Sequence, residues 1–298
     1  MKTLLLLLCV GAALFIPPAI QASATGDITA ISSRVSEDYV RAKRANGSFE
    51  PETYAFGPGG HWAGAISDAS IDSLKFADVA RTIAGPLANQ DYLPAKDPKN
   101  TKLLIMVYWG TTIGAGDPQN SIAYQNLQFA QAQVMTLWGS PTISFGVRAA
   151  AMSTLDAALG QAEMENRLRD RANYQNACML GYDSAGVIGT DYGRHLLMTA
   201  FRHKTVDLTD EIEDNRYFVV LMAYDFQLMW KEKKHKLLWE TRFSIRQRHN
   251  EFDKTLAAMA DYASKYFGQD SHGLIRKPLP EGHVELGDAK VIEVVPGK

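Results

Sequence analysis

From Leu237 to Arg246 the chain alternates without a break. Trp239, Thr241, Phe243 and Ile245 fall on one side, and Glu240, Arg242, Ser244 and Arg246 on the other. A period of two belongs to a β-strand with one face buried, and no helix accommodates it. The apolar run Tyr217 to Phe226 just before it reads as a second strand, and Lys231 to Lys236 as a polar turn. The two runs therefore predict an antiparallel hairpin with one face in water. A lone hairpin is only marginally stable, so something must cover its apolar face. The next segment supplies it. Asn250 is placed to cap a helix, Asp253 suits its positive end, and Phe252, Leu256, Met259, Ala263 and Tyr266 form an inner stripe ending near Gly268.

A second unit lies upstream. Glu52 to Phe56 reads as a short strand, followed by a glycine-rich loop from Gly57 to Gly64. A helix is expected from Ser70 to Asn89, with Ile71, Leu74, Val79, Ile83 and Leu87 inward and Pro86 kinking or ending it. Leu103 to Trp109 is continuously apolar, which predicts a strand buried on both faces. Strand, helix and strand at this spacing make a βαβ unit with parallel strands. The fold class expected is therefore an α/β (α+β) sandwich, in which one mixed sheet joins this unit to the C-terminal hairpin.

The units are separated by a helical insertion of about residues 117–215. Ser121 to Trp138 looks helical, Gly139-Ser140-Pro141 breaks it, and a second helix runs from Ser153 to Met179 with Leu155, Leu159 and Leu168 inward. Glu163/Arg167 and Glu165/Arg169 are i,i+4 pairs on its wet side. Gly181 to Gly193 reads as a linker, and 194–215 as a short helix and a charged loop. The single domain is expected over 51–273. It is preceded by a mobile lead-in at 25–50, with some helix around Ile31 to Ala45, and followed by an extended tail at 274–298 with one strand from Lys290 to Val295.

Residues 1–24 have the parts of a secretory signal peptide in order. Lys2 supplies the positive end, Leu4 to Ile16 the apolar run, Pro17-Pro18 a stop, and Ala22-Ser23-Ala24 the small residues around a cleavage point. The apolar run is shorter than the roughly 20 residues a membrane span needs. Cys9 does not suit a lipid anchor, because Leu8 precedes it where a small residue is required. The expectation is an exported protein, periplasmic or secreted, cleaved near Ala24. No later run is long enough to cross a bilayer; Tyr217 to Trp230 contains Asp225 and Gln227.

The formal charge of the 298-residue chain is −2 at pH 7, so no basic field points to nucleic acid. Cys178 is the only cysteine after the leader and can form no internal disulfide. It is expected as a small buried hydrophobe.

The element order, with Thr53-Tyr54-Ala55-Phe56-Gly57, Leu103 to Tyr108 and Leu237-Leu238-Trp239, resembles a family of small bacterial envelope proteins and lipoproteins of unknown function. The resemblance covers residues 50–110 and 215–268. It implies an α/β sandwich and a place in the bacterial cell envelope, and it carries over no catalytic residue. The chain departs from that family by lacking a lipobox, by its helical insertion and by its C-terminal extension.

The histidines His61, His195, His203, His235, His249, His272 and His283 form no close ligand pair, so no metal is expected. The acidic run Asp207, Asp210, Glu211, Glu213 and Asp214 lacks the alternation and central glycine of a calcium loop and reads as a solvated loop. Gly181-Tyr182-Asp183-Ser184 has tyrosine where a nucleophile elbow needs glycine. Trp62 stands where a dinucleotide fingerprint needs its third glycine, so no cofactor is expected.

Geometry offers a milder site. If strands 52–56 and 103–109 are parallel, their C-terminal ends share the edge where open α/β sheets place ligands. The ligand-binding residues expected there are His61, Trp62, Tyr108, Trp109 and Thr111, with Thr112 beside them. They suit a small polar ligand, a peptide or an envelope protein. The functional expectation is a non-catalytic binding or structural protein. A secreted hydrolase assembled only in three dimensions is the alternative, and an exposed apolar stripe on the insertion would mark a third, interaction-based reading.

Overall fold

The computed structural model describes residues 28–116, 120–182 and 202–279. The leader, His195, Ser184, His283 and the strand expected at Lys290 to Val295 lie outside the described residues.

Seven strands form one mixed sheet in the order β3-β2-β4-β5-β6-β1-β7. They are β1 (Ile28–Val35), β2 (Glu52–Trp62), β3 (Tyr92–Pro94), β4 (Leu103–Thr111), β5 (Arg216–Asp225), β6 (Leu237–Arg246) and β7 (Ile275–Pro278). β3, β2 and β4 run parallel, and every other neighbouring pair is antiparallel. The fold class is thus the expected α/β mixture. The β5–β6 hairpin forms with Val219 opposite Phe243 and Leu221 opposite Thr241.

Residues 28–35, expected as a mobile lead-in with some helix, instead form β1 between β6 and β7. The eight-residue segment Ile-Thr-Ala-Ile-Ser-Ser-Arg-Val puts β-branched Ile28, Thr29, Ile31 and Val35 in the strand, and Ile31 is fully buried. Part of the expected tail is likewise β7.

One face of the sheet is closed by α1 (Ala69–Asp72), α2 (Phe76–Ala88) and α7 (Phe252–Ser264). Ile83, Val79 and Leu87 of α2 meet Ile105, Val107, Val219, Phe243 and Trp239 in one core. Each fully buried Ile, Val or Leu there contributes about 1.5–3 kcal/mol. The helix expected from Ser70 to Asn89 is broken at Ser73–Lys75, and Pro86 is tolerated in the last turn of α2. Asn250 does not cap α7. The first amide of that helix, Phe252 N–H, donates instead to Ser70 Oγ at 3.1 Å.

Among the described residues, the second face is covered in part. The insertion comprises α3 (Ile122–Trp138), α4 (Phe145–Leu180) and α5 (Arg202–Glu213). The far end of α4 and Ile212 of α5 pack on Ala30, Phe218 and Val220. This overturns the wet face expected for the hairpin. Ser244 is buried and accepts from Arg216 Nε at 3.1 Å, and Arg242 Nη1 donates to the last carbonyls of α4, Cys178 O and Met179 O. Capping orphan helix carbonyls with a cation is favourable for both partners. The expected solvated acidic loop is largely helical. Glu211 pairs with Arg276 at 2.8 Å, Glu213 with Arg169 at 3.2 Å, and Asp214 with Arg246. The first two residues of the polar turn expected at Lys231 to Lys236 belong to α6 (Phe226–Glu232). Cys178 is exposed, not buried.

Candidate functional site

β2 does not stop at Phe56. It runs on to Trp62, paired throughout with β4, with a bulge between Pro58 and Gly60. The glycines expected to form a loop are strand residues, and β4 explains them. A Cβ on Gly59 would lie 2.5 Å from the Tyr108 ring, and one on Gly57 would lie 2.4 Å from Met106 Sδ. The side chains of β4 lie flat across a strand that offers them no bulk, an arrangement in which an aromatic ring covers an otherwise bare glycine.

The alternation of β4 decides where each expected site residue falls. His61 pairs with Trp109, and their rings stack at 5.5 Å on the helix-covered face. His61 Nε2 lies 3.8 Å from Asp72 Oδ1. Trp109 is only 5% exposed, and Thr111 and Thr112 are buried too. Thr112 Oγ1 accepts from Arg216 N–H at 2.9 Å, so it serves the sheet. Trp62 points to the other face, 5.7 Å from Tyr108 and 6.2 Å from Phe218, and keeps 45% of its surface in solvent. The five residues expected to share one site therefore divide between two faces, and Trp109 and Thr111 present nothing to a ligand.

What remains accessible is a surface beside Trp62. The strand expected to be buried on both faces is buried only at Leu103, Ile105, Val107 and Trp109; Leu104, Met106 and Tyr108 are half-buried. Met222 and Tyr224 of β5 continue that half-buried surface, with Tyr108 and Met222 packed at the margin of the cluster that Ala177, Leu180 and Ile212 form on Phe218 and Val220. Burial, with Tyr108 and Glu240 nearby, raises the Tyr224 phenol above its ordinary value, so it is a neutral hydrogen-bonding group at neutral pH. A continuous apolar run does not distinguish a fully buried face from a half-buried one, so Met106, Met222 and Tyr224 carry no local signal.

The same surface ends at an open strand edge. β3 pairs with β2 only at Glu52 to Tyr54. Glu52 N–H donates outward to Asp91 O, and Tyr54 O accepts outward from Ala95 N–H. Strand groups alternate in direction, so the N–H and C=O of Phe56 and the C=O of Pro58 also point outward. No described strand pairs with them. Pro58 and the adjacent bulge are familiar means of keeping such an edge from pairing without limit.

Elsewhere, an open cleft between Asp68, Asp214, Asn215 and Arg246 is lined by paired groups. Among the described residues no three His, Cys, Asp or Glu side chains gather as metal ligands, and no helix is long and apolar enough to cross a membrane.

No sequence-family profile matches the chain, and neither does any curated protein. Among solved structures it is similar to a PDZ domain protein from Parabacteroides distasonis, at 11% identity and a TM-score of 0.37, over 85% of this chain and 39% of that one. The chain thus spans well under half the length of that protein.

Proposed function

We propose that this chain is a non-catalytic binding protein of the cell envelope that seats an extended segment of another protein along the outer edge of β2. The observation that carries this reading is the outward-facing Phe56 and Pro58 backbone beside the half-open surface of Trp62, Met106, Tyr108 and Met222. A strand edge supplies main-chain hydrogen bonds to any extended peptide, and neighbouring side chains give it selectivity. Methionines and aromatics suit such a surface because they adapt to varied apolar partners at little cost. Export rests on the leader sequence of residues 1–24 alone.

A peptide-display selection against the protein tests this reading. Selected peptides are expected to bind at least tenfold more weakly to Trp62→Ala and Met106→Glu, with melting temperatures close to the parent. Selected peptides that bind both variants as tightly as the parent overturn it. Export is tested separately by fractionating cells that express the full chain and finding whether the product loses its first 24 or so residues.

A further inference from the structure

Among the described residues, the insertion is anchored to the sheet at one end of α4. From Arg169 onward α4 is tied down: Arg169 pairs with Glu213, Asn173 Nδ2 donates to Glu213 Oε1 at 2.8 Å, and Asn176 Nδ2 donates to Ile113 O at 2.9 Å. Before that point α4 packs on α3, and α3 packs on α4. The result is a two-helix arm. Phe145 to Leu168 spans about 36 Å at 1.5 Å per residue.

The seam inside the arm follows a heptad. On α3 it runs Ala123, Leu127, Ala130, Val134, Leu137; on α4 it passes through Arg148, Ala151, Leu155, Ala158 and Ala162. Buried alanines at Ala130, Ala151, Ala158 and Ala162 let the helices approach closely but bury little apolar area. Large apolar residues lie outside this seam. Phe145, Met152 and Leu159 recur every seven residues along one flank of α4, at 86%, 38% and 40% exposure. With antiparallel right-handed helices, the flank of α3 that shares their side carries Met135 and Trp138, at 79% and 52% exposure. The opposite flank also carries exposed apolar side chains, Ile122, Phe129, Met164 and Leu168, but the unbroken seven-residue row is the one through Phe145, Met152 and Leu159, of the kind that marks an interaction surface.

Two features choose the occupant. The first is charge. No charged residue occurs from Asn120 to Val147, and between Asn120 and Tyr182 four arginines are matched by four carboxylates with no lysine. A neutral arm offers nothing to a strongly acidic or basic partner and does not repel its own copy. The second is area. α3 is about 25 Å long, and two helices side by side are about 20 Å wide, so two facing arms cover about 1,000 Å² in total, the lower end of the range for a specific interface.

We infer that two copies of this chain associate through their α3–α4 arms. The faces carrying Met135, Trp138, Phe145, Met152 and Leu159 meet about a two-fold axis to complete a four-helix bundle. Antiparallel helix pairs with short loops are the halves of such bundles, and a two-fold interface uses the same patch on both partners. The inference is independent of the β2 edge, which lies on the sheet.

The test is the mass of the full-length protein in solution, by sedimentation at tens of micromolar with reductant present so that exposed Cys178 forms no cross-link. Three results are expected together. The parent sediments at twice the chain mass, M135E/M152E sediments at the chain mass, and F129E, on the opposite flank of α3, remains double. Circular dichroism and thermal melting are run on each, and both variants are expected to match the parent because all three side chains are exposed. A parent at single-chain mass, an M135E/M152E dimer, or dissociation by F129E overturns the inference. If M135E/M152E fails to fold, F145E is read in its place by the same standard.

Discussion

The carboxylate of Asp68 accepts the hydroxyl of Tyr217, and this contact joins the start of the β2–β4 crossover to the central strand β5. Asp68 also caps α1 through Ser70 N–H at 3.0 Å and accepts Gln247 Nε2 at 2.9 Å. Partial burial pushes its acidity the other way, but the hydrogen bonds from Tyr217, Gln247 and Ser70 prevail and hold the carboxyl below its ordinary value. Burial and the same carboxylate push the Tyr217 phenol up to about 12.

A depressed carboxylate stabilises the fold above its unfolded value, near 3.9, and that stabilisation is lost as pH falls through the folded value. Asp68→Asn is therefore expected to melt lower than the parent at pH 7. The gap should narrow as pH falls below about 4, where Asp68 of the unfolded chain takes up a proton first and the folded carboxylate follows at its lower value. Thermal melts from pH 7 to pH 3 check this. Curves that stay parallel down to pH 3 would show that Asp68 does not carry the acid sensitivity assigned to it.

Ser70 is a helix cap supplied from a distance. Its Oγ accepts Phe252 N–H, and Glu251, the residue before α7, makes no side-chain cap of its own. Ser70→Ala leaves that amide without an acceptor and is expected to cost about 1 kcal/mol, or about 2–4 °C in melting temperature. A scanning calorimetry trace that superimposes on the parent's would refute the assignment.

These contacts show what the sequence could and could not reveal. The hairpin, its covering helix and the parallel β2–β4 pair were legible because period-two and period-3.6 patterns depend on local neighbours. The cap on α7 was misassigned to Asn250 because its real acceptor lies 182 positions away in sequence. The wet face of the hairpin was misread for a similar reason: Arg242 and Ser244 are polar, yet they are covered by the returning end of α4. The candidate site was half legible. The parallel pairing places His61 beside Trp109 and Trp62 beside Tyr108, within the strands and not in the two end loops expected. Which ring of each pair remains in water depended on the bulge at Pro58–Gly60 and on where the helices stop, and neither is written in local spacing.

Two tryptophans one strand apart should accordingly behave in opposite ways. Trp109 is 5% exposed within the main core, so Trp109→Ala is expected to cost about 3–5 kcal/mol through lost burial and the cavity left behind. Trp62 is 45% exposed, so Trp62→Ala is expected to cost about 1 kcal/mol or less. Urea unfolding midpoints separate the two, and equal losses would contradict the placement of the rings on opposite faces.

Gly181 and Gly160 make the last contrast, within a single helix. Gly181 ends α4 in the left-handed region, at φ 74°, with its N–H returned to Ala177 O and Cys178 O. A Cβ there would stand 2.8 Å from Arg242 Cδ and 2.9 Å from Ser32 Cβ, so alanine meets an unfavourable backbone and the sheet beneath it together. Gly181→Ala is expected to destabilise by about 2 kcal/mol or more, and to loosen the docking of α4 on Arg242. Gly160 lies mid-helix in the arm, and an added Cβ would meet nothing within 4 Å. Gly160→Ala is expected to stabilise by about 0.5–1 kcal/mol, because alanine loses less backbone freedom on entering a helix. Denaturant melts of the two variants should therefore move in opposite directions, and a destabilised Gly160→Ala would mean that the arm is more crowded there than its open flank shows.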